Sequence, residues 1–337
     1  MRRAWLAGSL PGATPQEALE LVLRSPVGPH ILFLPGGETD RPNSSASITL
    51  ELARSGMFDI VKSGEFTSYS DMMTLTPTTD LFDLDLGYYE RYKAESVIAQ
   101  RICQQHHYAL TFQVGIITPF GQSMATLGPG RQLKHRRSFQ AATLSDIMQI
   151  YVHDESVIFQ IECLLELCGA LKAPSLVRPI VIRRMVANLT SFIHLCPTGL
   201  RIGIHPCLGD LNHEAMGHLS AIGPLVDWVN ELCDTWPTGY TLAYVHLPLC
   251  EGAKPPITDP GWYTDLKRLR VPPGVRVILG VCHESVPTDA LRPILALADS
   301  LLHRTVDVGA SCGLALRGSR TLDDVYTILN QQAELCR

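Results

Sequence analysis

The sequence predicts a single domain, residues 1–337, with the fold of a (β/α)8 TIM barrel, and two observations predict it. Short apolar segments rich in β-branched and aromatic residues alternate with longer amphipathic segments, which is typical of a parallel sheet covered by helices. About eight such strand–helix units fit into the chain, and a (β/α) barrel of this size forms one domain.

Nine segments have the composition of strands. They are Ala4–Ser9, His30–Leu34, Phe58–Ser63, Ala109–Ile116, Val157–Ile161, Leu200–Ile204, Leu242–Leu247, Val275–Val281 and Thr305–Val308. Because this is one strand more than the barrel needs, we assign His30–Leu34 and the loop Pro35–Ser45 to an excursion outside the barrel, near residues 30–45.

Helices are predicted between most of these strands. They are Thr14–Leu23, Ser47–Ser55, Leu86–His106, Leu144–His153, Cys163–Leu171, Pro179–Leu195, Asn212–Leu232, Asp289–His303 and Thr321–Cys336. The segment Gly115–Arg137 is rich in Gly, Pro, Thr and Ser, and its length predicts a lid or substrate loop over an active site.

The composition excludes several classes of function. The chain is 46% hydrophobic and 18% charged with a net charge of −5, so it lacks the basic surface that binds nucleic acid. No run of about eighteen apolar residues predicts a membrane span, and the broken apolar start favours a first strand over a secretory signal. The ten cysteines have no disulfide-framework spacing, which predicts reduced thiols and a cytoplasmic protein.

The stretch Arg201–Asp210 contains the first candidate site. Its strand ends by presenting His205 and Cys207, and residues two apart lie on the same face of a strand. Imidazole and thiolate are ligands that Zn²⁺ prefers. The alternative is a structural histidine and a thiol that packs as a small apolar side chain.

Polar and metal-capable side chains follow nearly every predicted strand. They are Ser9, Glu65, Glu162, His205 with Cys207, His246, His283 and Cys312. Catalytic residues of (β/α) barrels lie at the carboxyl ends of the strands, so this pattern predicts one shared site. The structural alternatives are a helix cap or ion pair for Glu65 and Glu162 and a buried, hydrogen-bonded ring for His283.

Six of these strand ends carry a family resemblance. The segments are Gly8-Ser9-Leu-Pro, Ser63-Gly-Glu65 with Asp71-Met72, Phe159-Gln-Ile-Glu162, His205-Pro-Cys207, Val281-Cys-His283-Glu-Ser285 and Ser311-Cys312-Gly313-Leu314. In order and approximate spacing the chain resembles the C-terminal catalytic barrel of cobalamin-independent methionine synthase, within the superfamily shared with uroporphyrinogen decarboxylase. The resemblance covers almost the whole chain and implies the same barrel fold.

The resemblance implies a zinc ion bound by His205, Cys207, Cys312 and one further ligand. The family has a Glu at the end of the strand after the H-x-C motif, and here His246 occupies that position. Imidazole is a competent zinc ligand, and we favour His246 over Glu251 because strand ends are better fixed than loops. Cys250 and Cys282 lie near these positions and stay open as alternative thiolates.

The resemblance also implies roles for the other strand ends. Zinc would lower the pKa of an incoming thiol such as homocysteine, and the thiolate would attack an activated alkyl carbon. His283 resembles the family's acid for the leaving group. Ser9, Glu65 and Glu162 resemble the residues that hold the amino-acid end of the substrate. His213 and His218 are predicted on a solvent-facing helix surface.

The chain departs from the family in ways that concern the alkyl donor. The folate-binding half is absent, and the loop after Gly115 lacks the Trp that the family places against the pterin. Short relatives are thought to use other donors, such as a methylcorrinoid on a partner protein. The segment Pro35–Arg41 resembles a P-D-G-E-T-G-x-R segment of short members without a known function.

Three functions therefore stay open from the sequence. The first is zinc-dependent alkyl transfer from a small-molecule or corrinoid donor to a thiol. The second is a metal-free lyase or decarboxylase on a uroporphyrinogen-decarboxylase-like barrel, with His205 and His283 as acid and base. The third is a non-catalytic protein that binds a small molecule.

Overall fold

A computed structural model describes residues 1–41, 43–318 and 321–337 of the chain. Eight parallel strands form one strongly curled, TIM-barrel-like sheet in the order β1-β10-β9-β8-β7-β6-β5-β2, and β3 and β4 form a separate hairpin. The strands are β1 Ala4–Trp5, β2 Leu34–Pro35, β3 Phe58–Lys62, β4 Thr74–Pro77, β5 Phe112–Ile117, β6 Ile158–Cys163, β7 Arg201–Pro206, β8 Thr241–Pro248, β9 Arg276–Cys282 and β10 Asp307–Ala310.

The helices alternate with the strands, as the sequence predicts. They are α1 Pro15–Arg24, α2 Ser44–Arg54, α3 Tyr88–Gln105, α4 Pro119–Leu127, α5 Arg131–His153, α6 Leu164–Lys172, α7 Arg178–Ile193, α8 Gly223–Asp234, α9 Thr288–Leu302, α10 Ala315–Gly318 and α11 Leu322–Cys336, with 3₁₀ turns at Gly28–His30 and Pro260–Arg268. In the described parts of the chain, no helix has both the length and the hydrophobicity needed to cross a membrane.

The two ends of the curled sheet meet beside β1. Ala4 forms an isolated parallel bridge with Ile31, and the N–H of Leu32 donates to the carbonyl of Ala4 at 2.8 Å. The segment that leads into β2 therefore lies between β1 and β5, the strand that β2 pairs with. Our assignment of His30–Leu34 to an excursion outside the barrel is wrong.

The strand predicted at Phe58–Ser63 belongs instead to the antiparallel hairpin of β3 and β4. Only Phe58 of β3 is buried, and the other four residues are exposed. A strand in a parallel sheet is covered on both faces, and Ile31 and Leu34 meet that condition with 0% and 1% exposure. The longer β-branched segment was therefore the wrong choice of barrel strand.

The segment Gly115–Arg137 is mostly helical, so the prediction that it is a loop is wrong, although its residues Gly121, Met124 and Gly128 line a cavity. The side chain of Thr118 accepts from the N–H of Gly121 and caps α4, which has Pro119 at its first position. A cap followed by proline is a standard helix start. Gly128 and Gly130, both with positive φ, separate α4 from α5.

The helix predicted at Asn212–Leu232 begins only at Gly223. Asn212 and His213 have φ of 52° and 67°, and these left-handed conformations end any helix. His213 is buried, contrary to the prediction of a solvent-facing ring, whereas His218 is exposed as expected. The irregular segment between β7 and α8 is available to cover the carboxyl end of the sheet.

The interior of the sheet is filled below the candidate site. Trp5, Ile158, Tyr244 and Ile278 are all fully buried, and the Tyr244 hydroxyl donates to Gln113 Oε1 at 3.0 Å. Tyr244 needs a glycine at position 203 of the neighbouring strand, because a Cβ there would lie 2.0 Å from its ring. This packed layer is the floor on which the polar strand ends stand.

Candidate metal centre and cavity

Three of the predicted metal ligands meet at the carboxyl end of the sheet. His205 is the last residue but one of β7, Cys207 follows that strand, and Cys312 follows β10. One ligand atom from each lies within 4.8 Å of the others. Cys207 Sγ and Cys312 Sγ are 3.6 Å apart and form no disulfide. Residues 105 positions apart in the chain therefore form one group.

Local backbone contacts hold the two sulfurs in place. The N–H of Gly209 donates to Cys207 Sγ at 3.2 Å, and Gly209 has a φ of 87°, which glycine adopts easily. Beyond Cys312, the N–H groups of Leu314 and Ala315 donate to the carbonyl of Ser9 at 2.8 and 2.7 Å. The loop after β10 is thus attached to the loop after β1.

His246 fixes the orientation of His205. The Nδ1 atoms of the two rings are 2.8 Å apart, and His246 Nε2 lies 3.1 Å from the carbonyl of Ala310. Because a carbonyl only accepts, His246 Nε2 carries the proton. Burial and the neighbouring His205 lower the pKa of His246 well below its usual value, which favours the neutral ring. A neutral His246 that donates through Nε2 can accept from His205 Nδ1, and this arrangement leaves His205 Nε2 able to bind a metal ion.

The three side chains fit a metal ion. His205 Nε2 is buried and has no hydrogen-bond partner among the described residues. Two sulfurs bound to a tetrahedral Zn²⁺ at about 2.3 Å each lie about 3.8 Å apart, close to the 3.6 Å between Cys207 and Cys312. The adjacent Cys207 sulfur and burial raise the pKa of the Cys312 thiol, and His205 lowers it. The group could therefore hold a metal ion.

The other two candidate ligands lie outside this group. His246 stands at the end of β8 as predicted, but its two ring nitrogens contact His205 and Ala310. Glu251 lies 3.0 Å from His218 and 3.1 Å from Lys254. Neither residue belongs to the group of ligand atoms, so the predicted fourth ligand is not part of this group.

A cavity of about 290 Å³ adjoins the metal group. Its lining combines His205, Cys207 and Cys312 with a second set of polar residues, Ser9, Glu38, Glu162 and Asp210, and its walls are mostly apolar. The apolar walls are Phe66, Tyr69, Met72, Met124, Leu164, Leu165, Leu211, Met216 and Leu316. Ser9 and Glu162 thus share a cavity with the metal group.

Glu38 is a site residue that the sequence reasoning missed. It is buried at 8% exposure and has a φ of 51°, a strained conformation for a side chain of this size. A Cβ on Gly115 would lie 2.9 Å from Glu38 Oε1 and 3.4 Å from Glu162 Oε1, so the two carboxyls are close. Burial and Glu162 raise the pKa of Glu38 to about 8.

The signal for Glu38 was present in the sequence. It follows β2 in the segment Pro35-Gly-Gly-Glu38, at a strand end like the other predicted site residues. Because we placed this segment outside the barrel, its carboxylate was not considered. Gly8 leaves the room that the side chain needs, since a Cβ there would lie 3.0 Å from Glu38 Oε1.

Glu65 lies in the loop between β3 and β4, where it is exposed and is not part of the cavity lining. The carboxylate of Asp71 folds this loop by accepting from the backbone N–H groups of Glu65 and Thr67, both at 3.2 Å. Phe66, Tyr69 and Met72 of the same loop do line the cavity. The motif therefore supplies a cover for the cavity, and the role of Glu65 stays a prediction.

The side chain amide of Asn212 attaches this cover to the segment after β7. It donates to the carbonyls of Phe66 and Thr67, both at 3.0 Å. The approach of Tyr69 depends on a missing side chain, because a Cβ on Gly209 would lie 2.1 Å from the Tyr69 hydroxyl. The hairpin thus reaches the backbone beside Cys207.

His283 is buried behind the cavity and is not among the residues that line it. Its Nε2 lies 3.2 Å from the carbonyl of Gly252, and its Nδ1 accepts from the N–H of Ser285 at 3.1 Å. Burial and the Arg317 guanidinium lower the pKa of this ring. Its predicted role as a catalytic acid stays untested, and both nitrogens are occupied in this conformation.

Asp210 is a second acidic residue that the sequence reasoning did not propose as a site residue. It is 7% exposed, and neither carboxylate oxygen makes a hydrogen bond of ordinary geometry among the described residues. Burial raises its pKa, whereas Arg317 and His213 favour the charged form. A buried carboxylate without a partner is costly, so its position on the cavity wall points to a ligand.

Comparison of the sequence with models of protein families gives no match, and comparison with curated proteins gives none. Solved structures do share the fold. A B12-independent methionine synthase from a Shewanella species, in complex with selenomethionine, has a TM-score of 0.61 at 14% identity, covering 99% of this chain and 97% of the other.

Two further structures are similar over most of their length. A putative vitamin-B12-independent methionine synthase from Listeria monocytogenes has a TM-score of 0.53 at 10% identity, covering 98% of this chain and 96% of the other. A methyltransferase from Methanosarcina mazei has a TM-score of 0.45 at 11% identity, covering 98% and 95%. At these identities the first two similarities establish the fold and leave the reaction to the site residues.

Proposed function

We propose that this protein is a zinc-dependent enzyme that transfers a methyl or other alkyl group to a small thiol, and that His205, Cys207 and Cys312 bind the zinc. One observation supports this most. The imidazole nitrogen Nε2 of His205, which has no hydrogen-bond partner among the described residues, lies close to two cysteine sulfurs at the edge of the cavity. One imidazole and two thiolates suit Zn²⁺ well among the common divalent ions.

His205, Cys207 and Cys312 would bind the metal, and the remaining position would be left to the substrate. Catalytic zinc sites commonly have three protein ligands and one exchangeable position. His246 would act as the outer partner that holds the ring of His205, a frequent arrangement around metal-bound histidines. Bound zinc would lower the pKa of a coordinated thiol, so that the thiolate exists near neutral pH.

The other cavity residues would bind and orient the acceptor. Ser9, Glu38 and Glu162 lie together and offer a hydroxyl and two carboxyls to the ammonium group of a homocysteine-like thiol. In this proposal Glu38 fills the role that the sequence predicted for Glu65. The apolar walls would exclude water from the thiolate.

Alkyl transfer to a thiol is favoured over the lyase alternative by the charges of the cavity. Lys62 is the only lysine or arginine among the described residues that line the cavity. Its Nζ donates to the carbonyl of Ser70 at 2.6 Å. A decarboxylase of polyanionic substrates needs cations for the carboxylates, so we do not propose it. The ten cysteines are all free, which supports action in a reducing compartment such as the cytoplasm.

Metal content tests this proposal directly. Protein equilibrated with zinc under reducing conditions and then desalted should retain one zinc per chain, measured by atomic emission. Cys207→Ser and Cys312→Ser should lose the bound zinc. Cys196→Ser removes a buried thiol just beyond the end of α7 and should keep it. Absence of zinc from the parent protein, or equal zinc in all variants, would refute the metal site and with it the function.

A further inference from the structure

We infer that the alkyl donor of this site is an onium cation, a sulfonium or a quaternary ammonium compound, bound in the cavity beside the metal group. The inference rests on the proposed alkyl transfer to a thiol and names the class of its second substrate. Two observations carry it: the charge of the cavity and the chemistry of its walls.

The cavity lining is acidic close to the metal group, since Glu162 pairs with His205 in the register of β6 and β7. Glu38, Glu162 and Asp210 line it, and Lys62, the one aliphatic cation among its described lining residues, is exposed. Asp210 adds a buried carboxylate whose oxygens make no hydrogen bond of ordinary geometry within the described chain, although Arg317 and His213 lie near enough to favour its charged form. A donor with phosphate or carboxylate groups would meet repulsion here, whereas a cation favours the ionised form of these carboxyls.

The metal group would add to this preference. Two thiolates, Cys207 and Cys312, would cancel the charge of Zn²⁺, and a third thiolate from the acceptor would leave the centre negative. A cationic donor is therefore attracted to both sides of the cavity. Attraction across a dry, low-dielectric space is stronger than in water.

The walls fit a cation that carries alkyl groups. Phe66 and Tyr69 line the cavity together with the thioethers of Met72, Met124 and Met216. Aromatic rings attract cations that approach their faces, and methionine side chains adapt to irregular apolar ligands. A hydrated inorganic cation would lose its water here without replacement, whereas methylated sulfonium and ammonium groups are only weakly hydrated.

The proposed step also accounts for the leaving group. In the proposed step the thiolate sulfur forms a bond to the alkyl carbon, and the bond from that carbon to S⁺ or N⁺ breaks. The electron pair of the broken bond stays on the leaving sulfur or nitrogen, which departs as a neutral thioether or tertiary amine. The proton of the acceptor thiol is released to water when it binds, and nothing is oxidised or reduced.

An onium donor therefore needs no acid for its leaving group. Glu38 and Glu162 are assigned above to the ammonium group of the acceptor. Asp210 is then the buried carboxyl of the cavity lining that is left for the cation of the donor.

Calorimetric binding of small probes tests the inference without turnover. We expect trimethylsulfonium and tetramethylammonium to bind the zinc-loaded protein at least about tenfold more tightly than tert-butanol, a neutral molecule of the same size. Asp210→Asn should reduce this preference about tenfold or more. Glu38→Gln, in the proposed acceptor site, should reduce it less. Glu155→Gln removes an exposed carboxylate before β6, away from the cavity, and should leave it unchanged.

Turnover distinguishes a sulfonium donor from a quaternary ammonium donor. Zinc-loaded protein incubated with homocysteine and trimethylsulfonium should release dimethyl sulfide, and tetramethylammonium should release trimethylamine, both detected by gas chromatography. Equal binding of cations and tert-butanol, or an unchanged preference in folded Asp210→Asn, would overturn the inference. Thiol methylation from methylcobalamin with no cation binding would also overturn it, and it would leave the proposed function standing, whereas a protein without zinc refutes both.

Discussion

The two sides of the cavity differ in how their residues are assembled. On the metal side, His205 and Cys207 come from one strand end and face the same way. On the acidic side, Glu38 and Glu162 come from β2 and β6, which are separated in the sheet by β5. A pair within one strand is fixed by local spacing, whereas a pair between distant strands depends on the correct choice of strands.

The two sides also differ in the kind of ligand that would stabilise them. The metal side places a bare nitrogen and two thiols together, a cost that a metal ion would remove. The acidic side places two carboxyls together, a cost that a proton or a substrate cation would remove. If these proposals hold, a ligand would stabilise each side, and each can be tested by removing one member.

The largest effect is expected on the metal side. Cys312→Ser should weaken zinc binding by about three orders of magnitude or more, because it removes one of three ligands while leaving the volume nearly unchanged. Competition with a chromophoric chelator measures the affinity. Cys196→Ser is the matched control, and a change of less than tenfold in Cys312→Ser would remove Cys312 from the metal site.

On the acidic side, Glu38→Gln should change how stability depends on pH. The folded-state pKa of Glu38 is about 8, above the ordinary value, so its contribution to the free energy of unfolding is intact below about pH 4.5 and is lost as the pH rises towards 8. Relative to the parent protein, Glu38→Gln should gain stability across this range, by up to a few kcal/mol at pH 8.

Urea unfolding of metal-free protein at pH 5 and pH 8 measures this difference. The charged groups around Glu38 are Glu162, Glu95 and Arg91, with a hydrogen bond from Ser44, and burial also raises the pKa of Glu95 to about 7. The comparison must therefore be between variant and parent at each pH. A gain that is the same at pH 5 and pH 8 would contradict a protonated Glu38.

His246→Ala should have an intermediate effect that distinguishes its two possible roles. As the outer partner of His205 it should change zinc affinity by about 10- to 100-fold, and His246→Asn, which can still accept from His205 Nδ1, should restore part of the loss. A loss as large as that of Cys312→Ser, without rescue by Asn, would make His246 a direct ligand.

The smallest effect is expected at the cover that spans both sides. Asn212→Gly removes the two 3.0 Å hydrogen bonds to Phe66 and Thr67 while suiting the positive φ at this position. Hydrogen exchange in residues 58–77 should become faster by an amount equivalent to about 1–2 kcal/mol. Amides of α5 provide the reference, and equal change in both regions would indicate general destabilisation.

The sequence was sufficient for the later part of the fold. The strands from β5 to β10 were each predicted within a few residues, because they are apolar, β-branched segments separated by long helices. The same regularity brought His205, Cys207 and Cys312 to one edge of the sheet. For this part of the chain, local pattern and tertiary position agree.

The first part was harder because burial there does not follow local pattern. Asp59-Ile-Val-Lys62 has better strand composition than Leu34-Pro35, yet it is exposed in a hairpin while the shorter segment joins the sheet. Glu38 was lost with that choice, and Glu65 was favoured in its place. The close packing of Gly8 and Gly115 against Glu38 is a tertiary contact that no spacing rule contains.

The unequal lengths of the strands have a consequence for where the sheet opens locally. β1 and β2 have two residues each, whereas β7 and β8 have six and eight, so the seam at Ala4 and Ile31 is joined by few backbone pairs. Thermal fluctuations should part this seam first. Water can then reach Glu38 and exchange its proton, while the strands that precede Cys207 and Cys312 remain hydrogen-bonded to their neighbours.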